Sequence, residues 1–158
     1  MRLTEKQLVI LEALARFKFL TTKQLQIIFN AKNTSAINTA IRKLKGMKYS
    51  PVKSIDFGIA PWVGRLAKIH YLGTYWIKLL TEQLQYSPTR IQAPKNRNSF
   101  FQRDYFHRVA TITFNIRFQK WLGNNGYQLM FFKSYFNRNK ASHYQKAETA
   151  IPLWDKWL

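Results

Sequence analysis

Between residues 34 and 46 the chain carries Ser35, Asn38, Thr39 and Arg42 at helical spacing, interleaved with Ile37, Ala40, Ile41 and Leu44. Steps of about 100° per residue place the two sets on opposite sides of a helix, with Met47 extending the apolar stripe and Lys43 and Lys45 flanking the polar side. That polar side holds the chemistry of base reading. An arginine bonds guanine through two donors, an asparagine bonds adenine in the same bidentate way, and a serine or threonine hydrogen-bonds to a base or touches a thymine methyl. Flanking lysines suit phosphates as point charges. A polar face that is merely solvated is the other reading of the same pattern.

Elsewhere the residue types offer little for catalysis. The acids Glu5, Glu12, Asp56, Glu82, Asp104, Glu148 and Asp155 are scattered, with no carboxylate pair at metal-site spacing. His70, His107 and His143 stand alone and belong to no HExxH pattern, and the six glycines form neither a Walker loop nor a GxGxxG turn. With zero cysteines the chain has no thiolate zinc site, thiol nucleophile or disulfide, which fits a reducing cytosol. No catalytic residue, metal site or cofactor is expected. The enzymatic alternative, a metal-dependent nuclease or nicking component, would have to draw on Asp104, Glu148 or Asp155.

The overall charge points to a polyanionic partner. The 158 residues hold 26 Lys+Arg against 7 Asp+Glu, a formal net charge of +19, and the pI is near 10.5. The excess is spread along the chain, with ten basic against two acidic residues over 1–50, seven against two over 51–98 and nine against three over 99–158. Positive potential distributed in this way belongs to folded elements that track phosphates, not to a detachable arm. At 46% apolar and 16% aromatic, the chain has ample core material to fold. Neither an RNP-like strand nor a GXXG loop favours RNA. The aromatic segment 100–122 contains Arg103, Asp104, His107, Arg108, Arg117 and Lys120, so it makes a poor membrane span. With no apolar signal core at the N-terminus, the expectation is a soluble, cytoplasmic protein with no membrane partner.

The elements that position these residues follow from caps and periodicity. Thr4 with Gln7, then Thr21 with Gln24, are capping-box pairs opening two helices, the first carrying Leu8, Leu11, Leu14 and Ala15 and the second Leu25, Ile28 and Phe29. The 34–46 segment is the third helix. Alternation in Ile55, Phe57 and Ile59, and again in Ala67, Ile69 and Tyr71, predicts a β-hairpin with a long tip at Pro61-Trp62-Val63-Gly64. Arg65 and Lys68 near that tip are candidate phosphate contacts, and Trp62 is expected to cover its own strand, with stacking on nucleic acid as the alternative. Thr21, Thr22 and Lys23 open the second helix, where backbone N–H groups attract phosphate; capping explains the threonines equally well. A fourth helix follows from Thr74.

The chain thus reads as α+β: an N-terminal winged helix-turn-helix over 1–86, a polar linker over 87–98, and a smaller helix-plus-strand region over 99–158. In that last region Ser99 and Gln102 look like a cap for a long, largely buried helix to Leu122, followed by a strand over 127–132. The apolar residues closing the chain, Ile151, Leu153, Trp154, Trp157 and Leu158, point to packing on the second region or on a partner chain, and with the long helix they suggest a homodimer.

Several segments resemble the replication-relaxation family, whose members include accessory proteins of plasmid mobilisation. They are Leu3-Thr4-Glu5-Lys6-Gln7 through Ile10-Leu11, Phe17-Lys18-Phe19-Leu20-Thr21-Thr22-Lys23-Gln24-Leu25, Arg42-Lys43-Leu44, His70-Tyr71-Leu72-Gly73 and, more loosely, His107-Arg108-Val109-Ala110. The resemblance covers about residues 3 to 85. It implies a winged-helix domain acting on plasmid or mobile-element DNA, either as a relaxosome accessory factor beside a relaxase or replication protein, or as a transcriptional repressor. The expected interface is double-stranded DNA read by Ser35, Asn38, Thr39 and Arg42, with Thr21, Thr22, Lys23, Lys43, Lys45, Arg65 and Lys68 on phosphates.

Overall fold

Two reciprocal caps set the helical framework. In the computed structural model, which describes residues 3–83, 104–127 and 129, the Thr4 hydroxyl accepts from the Gln7 amide at 3.3 Å and the Gln7 side-chain carbonyl accepts from the Thr4 amide at 2.9 Å. This box opens α1 (Glu5–Phe17), which buries Ile10, Leu11 and Leu14. After β1 (Leu20–Thr21) the same device recurs between Thr21 and Gln24, at 3.1 and 2.8 Å, and opens α2 (Thr22–Phe29).

Side chains shape the turn into the next helix. Asn30 takes the left-handed conformation that ends α2, and the Gln26 side chain donates to the carbonyls of Ala31 and Lys32 at 3.0 and 3.2 Å. The Asn33 side chain then accepts from the Ser35 amide at 3.1 Å, while Thr34 makes no side-chain cap bond. There begins α3 (Ser35–Gly46), which buries Ile37, Ala40, Ile41 and Leu44 and packs against α1 and α2. Leu44 is fully buried, so its truncation to alanine would cost about 2–5 kcal/mol.

The predicted hairpin is present but built in two pieces. At its base β2 (Val52–Ile55) runs antiparallel to β5 (Ile69–Leu72), with Val52 opposite Leu72 and Ile55 opposite Ile69. At its tip β3 (Ile59–Ala60) pairs with β4 (Gly64–Arg65) as a separate two-stranded sheet. Because β1 pairs with the other side of β5, the three-stranded order is β1-β5-β2. The expected alternation fails on β5, where side chains on both faces of the strand are covered and Ile69, His70, Tyr71 and Leu72 are buried alike. It fails at the tip as well, where Ile59 is 78% exposed.

Gly73 closes this sheet against the loop after α3. Its amide donates to the Pro51 carbonyl at 2.8 Å, and a Cβ there would lie 2.6 Å from the Ser50 carbonyl oxygen, so no side chain fits. The Gly73 carbonyl accepts from the amides of Trp76 and Ile77, which starts α4 (Thr74–Gln83). Trp76 and Leu80 are buried, and Tyr75 stacks on Tyr49 with ring centroids 4.3 Å apart.

The chain divides into two compact units, Met1–Val109 and Ala110–Leu158, and the division falls inside α5 (Tyr105–Asn124). Within the first unit, the Tyr105 hydroxyl donates to the Ala67 carbonyl at 2.9 Å and the Gln24 side chain donates to the Val109 carbonyl at 3.0 Å. In the second unit, α5 buries Ile112, Asn115, Ile116 and Leu122. The helix ends where the Leu122 carbonyl accepts from the amides of Asn125 and Tyr127, with Gly126 at positive φ. The expectation that this helix is largely buried is corrected: Phe106, Phe114 and Trp121 are each more than half exposed. The linker 87–98, the caps Ser99 and Gln102, most of the 127–132 strand and the apolar chain end lie outside the described residues.

The architecture is mixed α+β, with several helices and two small open sheets. Among the described residues no helix is long and apolar enough to cross a membrane.

Candidate nucleic-acid interface

The stripe that α3 buries decides what it exposes. With Ile37, Ala40, Ile41 and Leu44 turned inward, Ser35, Asn38, Thr39, Arg42, Lys43 and Lys45 are all exposed. No carboxylate among the described residues pairs with Arg42, Lys43 or Lys45. A local sequence signal reinforces this. Between Glu12 and Asp56, a span covering α2 and α3, the chain has nine basic residues and no acidic one. The α3 face is therefore a cationic and hydrogen-bonding surface with no counter-charge from the described residues. Lys43 and Lys45 also sit in the last turn, where a cation complements the helix dipole.

At the start of α2 the three candidates separate. Thr21 is buried with its hydroxyl engaged in the cap, so of the two roles its sequence leaves open the geometry shows capping. Thr22 is half-buried, and its hydroxyl lies 3.1 Å from His70 Nε2. Lys23 is exposed.

That contact belongs to a buried network the sequence does not reveal. His70 is 5% exposed, and its Nδ1 lies 2.7 Å from the Ser54 hydroxyl, so the ring joins the start of α2 to β2 and β5. Burial, aided by the charges of Lys45 and Lys68, pushes its pKa down to about 4. The ring is neutral at physiological pH, with one nitrogen donating and the other accepting. The partner on each nitrogen is a hydroxyl, and the buried ring ties the start of α2 to the paired strands β2 and β5.

Two further candidates turn out to be shared with an acid. Arg65 and Lys68 both reach the Asp56 carboxylate, at 2.9 and 3.2 Å, and the Gly58 amide donates to its other oxygen at 3.0 Å. The Arg65 hydrogen bond, followed by those from Gly58 and Lys68, holds the Asp56 carboxyl well below the usual carboxylate range. The pair thus presents two cations with one counter-charge already in place.

Between β3 and β4, Trp62 is 104% exposed at a positive φ of 67°, beside Val63 at 60%. The expectation that Trp62 covers its own strand is overturned. Two-residue strands and a tight turn leave the indole no surface to lie on, and the tip presents Ile59, Trp62 and Val63 to solvent.

Asp104 is exposed and sits 4.0 Å from the Arg108 guanidinium, while Glu148 and Asp155 lie outside the described residues. Among the described residues no group of three or more His, Cys, Asp or Glu could hold a metal ion. No family model, no curated protein and no solved structure matches this chain.

Proposed function

We propose that this chain is a sequence-specific double-stranded DNA-binding protein whose first unit is a winged helix-turn-helix. In this reading α3 enters the major groove, and Ser35, Asn38, Thr39 and Arg42 meet base edges. Lys23, Lys43 and Lys45 neutralise phosphates, and the hairpin tip with Arg65 and Lys68 lies along the backbone or the minor groove. Thr21 is left out because its side chain is buried. The observation that carries the reading is the exposed face of α3, which combines base-reading types with cations that pair with no carboxylate among the described residues, in a chain of net charge +19. Support also comes from the order α1, β1, α2, α3 and then the β2–β5 hairpin, which suits a recognition helix followed by a wing.

The resemblance to the replication-relaxation family extends the proposal to a setting. The protein would act on plasmid or mobile-element DNA as a relaxosome accessory factor, with a relaxase or replication protein as partner and a cytoplasmic location. Repression of transcription would use the same α3 interface.

Fluorescence-anisotropy binding to a duplex taken from DNA flanking the gene, against a scrambled duplex, over a salt series, tests this. A preference of about a thousandfold or more at physiological salt is the expected result. Equal binding to both, weakening together with a slope of about −0.9 per phosphate contact, would leave only non-specific charge attraction. Magnesium-dependent cleavage of supercoiled plasmid would replace the proposal with the nuclease reading.

A further inference from the structure

One side of α5 repeats the alternating four- and three-residue step of a coiled-coil seam. Ala110, Phe114, Arg117 and Trp121 fall within about 60° of arc at 100° per residue, and all four are exposed. Phe114 and Trp121 are each 56% exposed, whereas Ile112, Asn115, Ile116 and Leu122, on the opposite side, are buried. Phe114 stacks on Phe118 at 5.6 Å and Phe118 on Trp121 at 6.1 Å, so the rings are held as a ladder along an open groove. An exposed helix face this aromatic, with one cation in its middle, needs a partner that suits both features.

A second copy suits both. Laid antiparallel to itself and crossing midway between Asn115 and Ile116, the helix places Trp121 against Ala110 of the second copy and Phe114 against Arg117 of the second copy. The largest side chain of the seam then meets the smallest, and the cation meets an aromatic face, which attracts it. Two-fold symmetry repeats both contacts, as a closed isologous interface requires. The parallel arrangement puts like on like, with Arg117 facing Arg117 and Trp121 facing Trp121, and sacrifices both matches.

We infer that α5 joins two copies of this chain as an antiparallel pair across the seam of Ala110, Phe114, Arg117 and Trp121. The inference does not rest on DNA binding. A dimer that binds no duplex leaves it intact, and a monomer that binds duplex overturns it alone.

Sedimentation of the full chain across the micromolar range tests the pairing, and the expected result is a concentration-dependent rise to twice 18.8 kDa. Arg117→Glu, an exposed position that leaves the buried side of α5 untouched, should weaken association by about tenfold or more by setting an anion against the Phe114 ring. The absence of cysteine makes the register directly readable. A mixture of the Ala110→Cys and Trp121→Cys variants should form a disulfide-linked heterodimer under oxidation, and neither variant alone should. Identical positions lie about 16 Å apart along the antiparallel axis, beyond the ~7 Å Cα separation that a disulfide spans. A monomeric mass at every concentration overturns the inference, as does crosslinking of Ala110→Cys with itself, or a dimer that crosslinks in no combination.

Discussion

His70 and Ser54 stand directly opposite each other on neighbouring strands, with His70 Nδ1 2.7 Å from the Ser54 hydroxyl. With the Thr22 hydroxyl at Nε2, the ring fills a buried polar slot in which each nitrogen has one partner. Groups buried in this way are costly to charge, because the imidazolium would lose the hydration that stabilises its charge in water.

Stability should therefore depend on pH through His70. Its pKa in the folded chain is about 4 against 6.5 for the free side chain, so the unfolded chain takes up a proton first as the pH falls. The contribution, on the order of 3 kcal/mol, is fully present above about pH 6.5 and is lost progressively down to about pH 4. Urea unfolding at intervals over that range should show the decline, and His70→Asn should flatten it from 6.5 to 4.5. An unchanged slope in the variant would assign the dependence to other groups.

What the sequence discloses and what it hides follow from interaction range. The capping boxes at Thr4 and Thr21 and the buried stripe of α3 are legible because each is decided by residues three or four apart. The contacts of His70 with Thr22, and of Asp56 with Arg65 and Lys68, depend on strand pairing, and no local pattern marks them. The alternation rule misplaces Ile59 and blurs β5 because it assumes a strand with one buried face, whereas β5 is buried on both faces and the tip has no layer beneath it. On α5 the apolar residues are visible in the sequence, but which of them lack cover is not.

Arg42→Ala should lower affinity for the preferred duplex by about 1–3 kcal/mol, with little change on scrambled DNA, if the guanidinium reads a base. Anisotropy titrations against both duplexes provide the check. An equal loss on each would place Arg42 on phosphate.

Asp56→Asn removes the counter-charge from Arg65 and Lys68. Non-specific DNA binding should tighten, and the log–log salt slope should steepen by about one unit as the freed positive charge displaces a counterion from the duplex. A slope that stays the same would mean that the tip does not reach the DNA backbone.

Trp62→Ala should leave thermal stability nearly untouched, within about 0.5 kcal/mol, because the indole makes no buried contact to lose. Its effect should fall on duplex binding, where the exposed indole at the tip would lose its contact with the groove. Parallel melting curves and titrations separate the two. A large drop in melting temperature would show that the ring supports the fold after all.

The sheet order β1-β5-β2 has a consequence for synthesis. The strand that fills the middle is the last of the three to leave the ribosome, and it pairs Leu20 with His70 across fifty residues of chain. Until it arrives, β1 and β2 have an empty place between them, and neither has its partner. Helices α1 to α3 are specified by short-range signals, so they can gain structure early, but the sheet is completed only once Leu72 has emerged. A nascent chain halted before Ile69 would carry the whole α3 surface without the sheet that completes its domain.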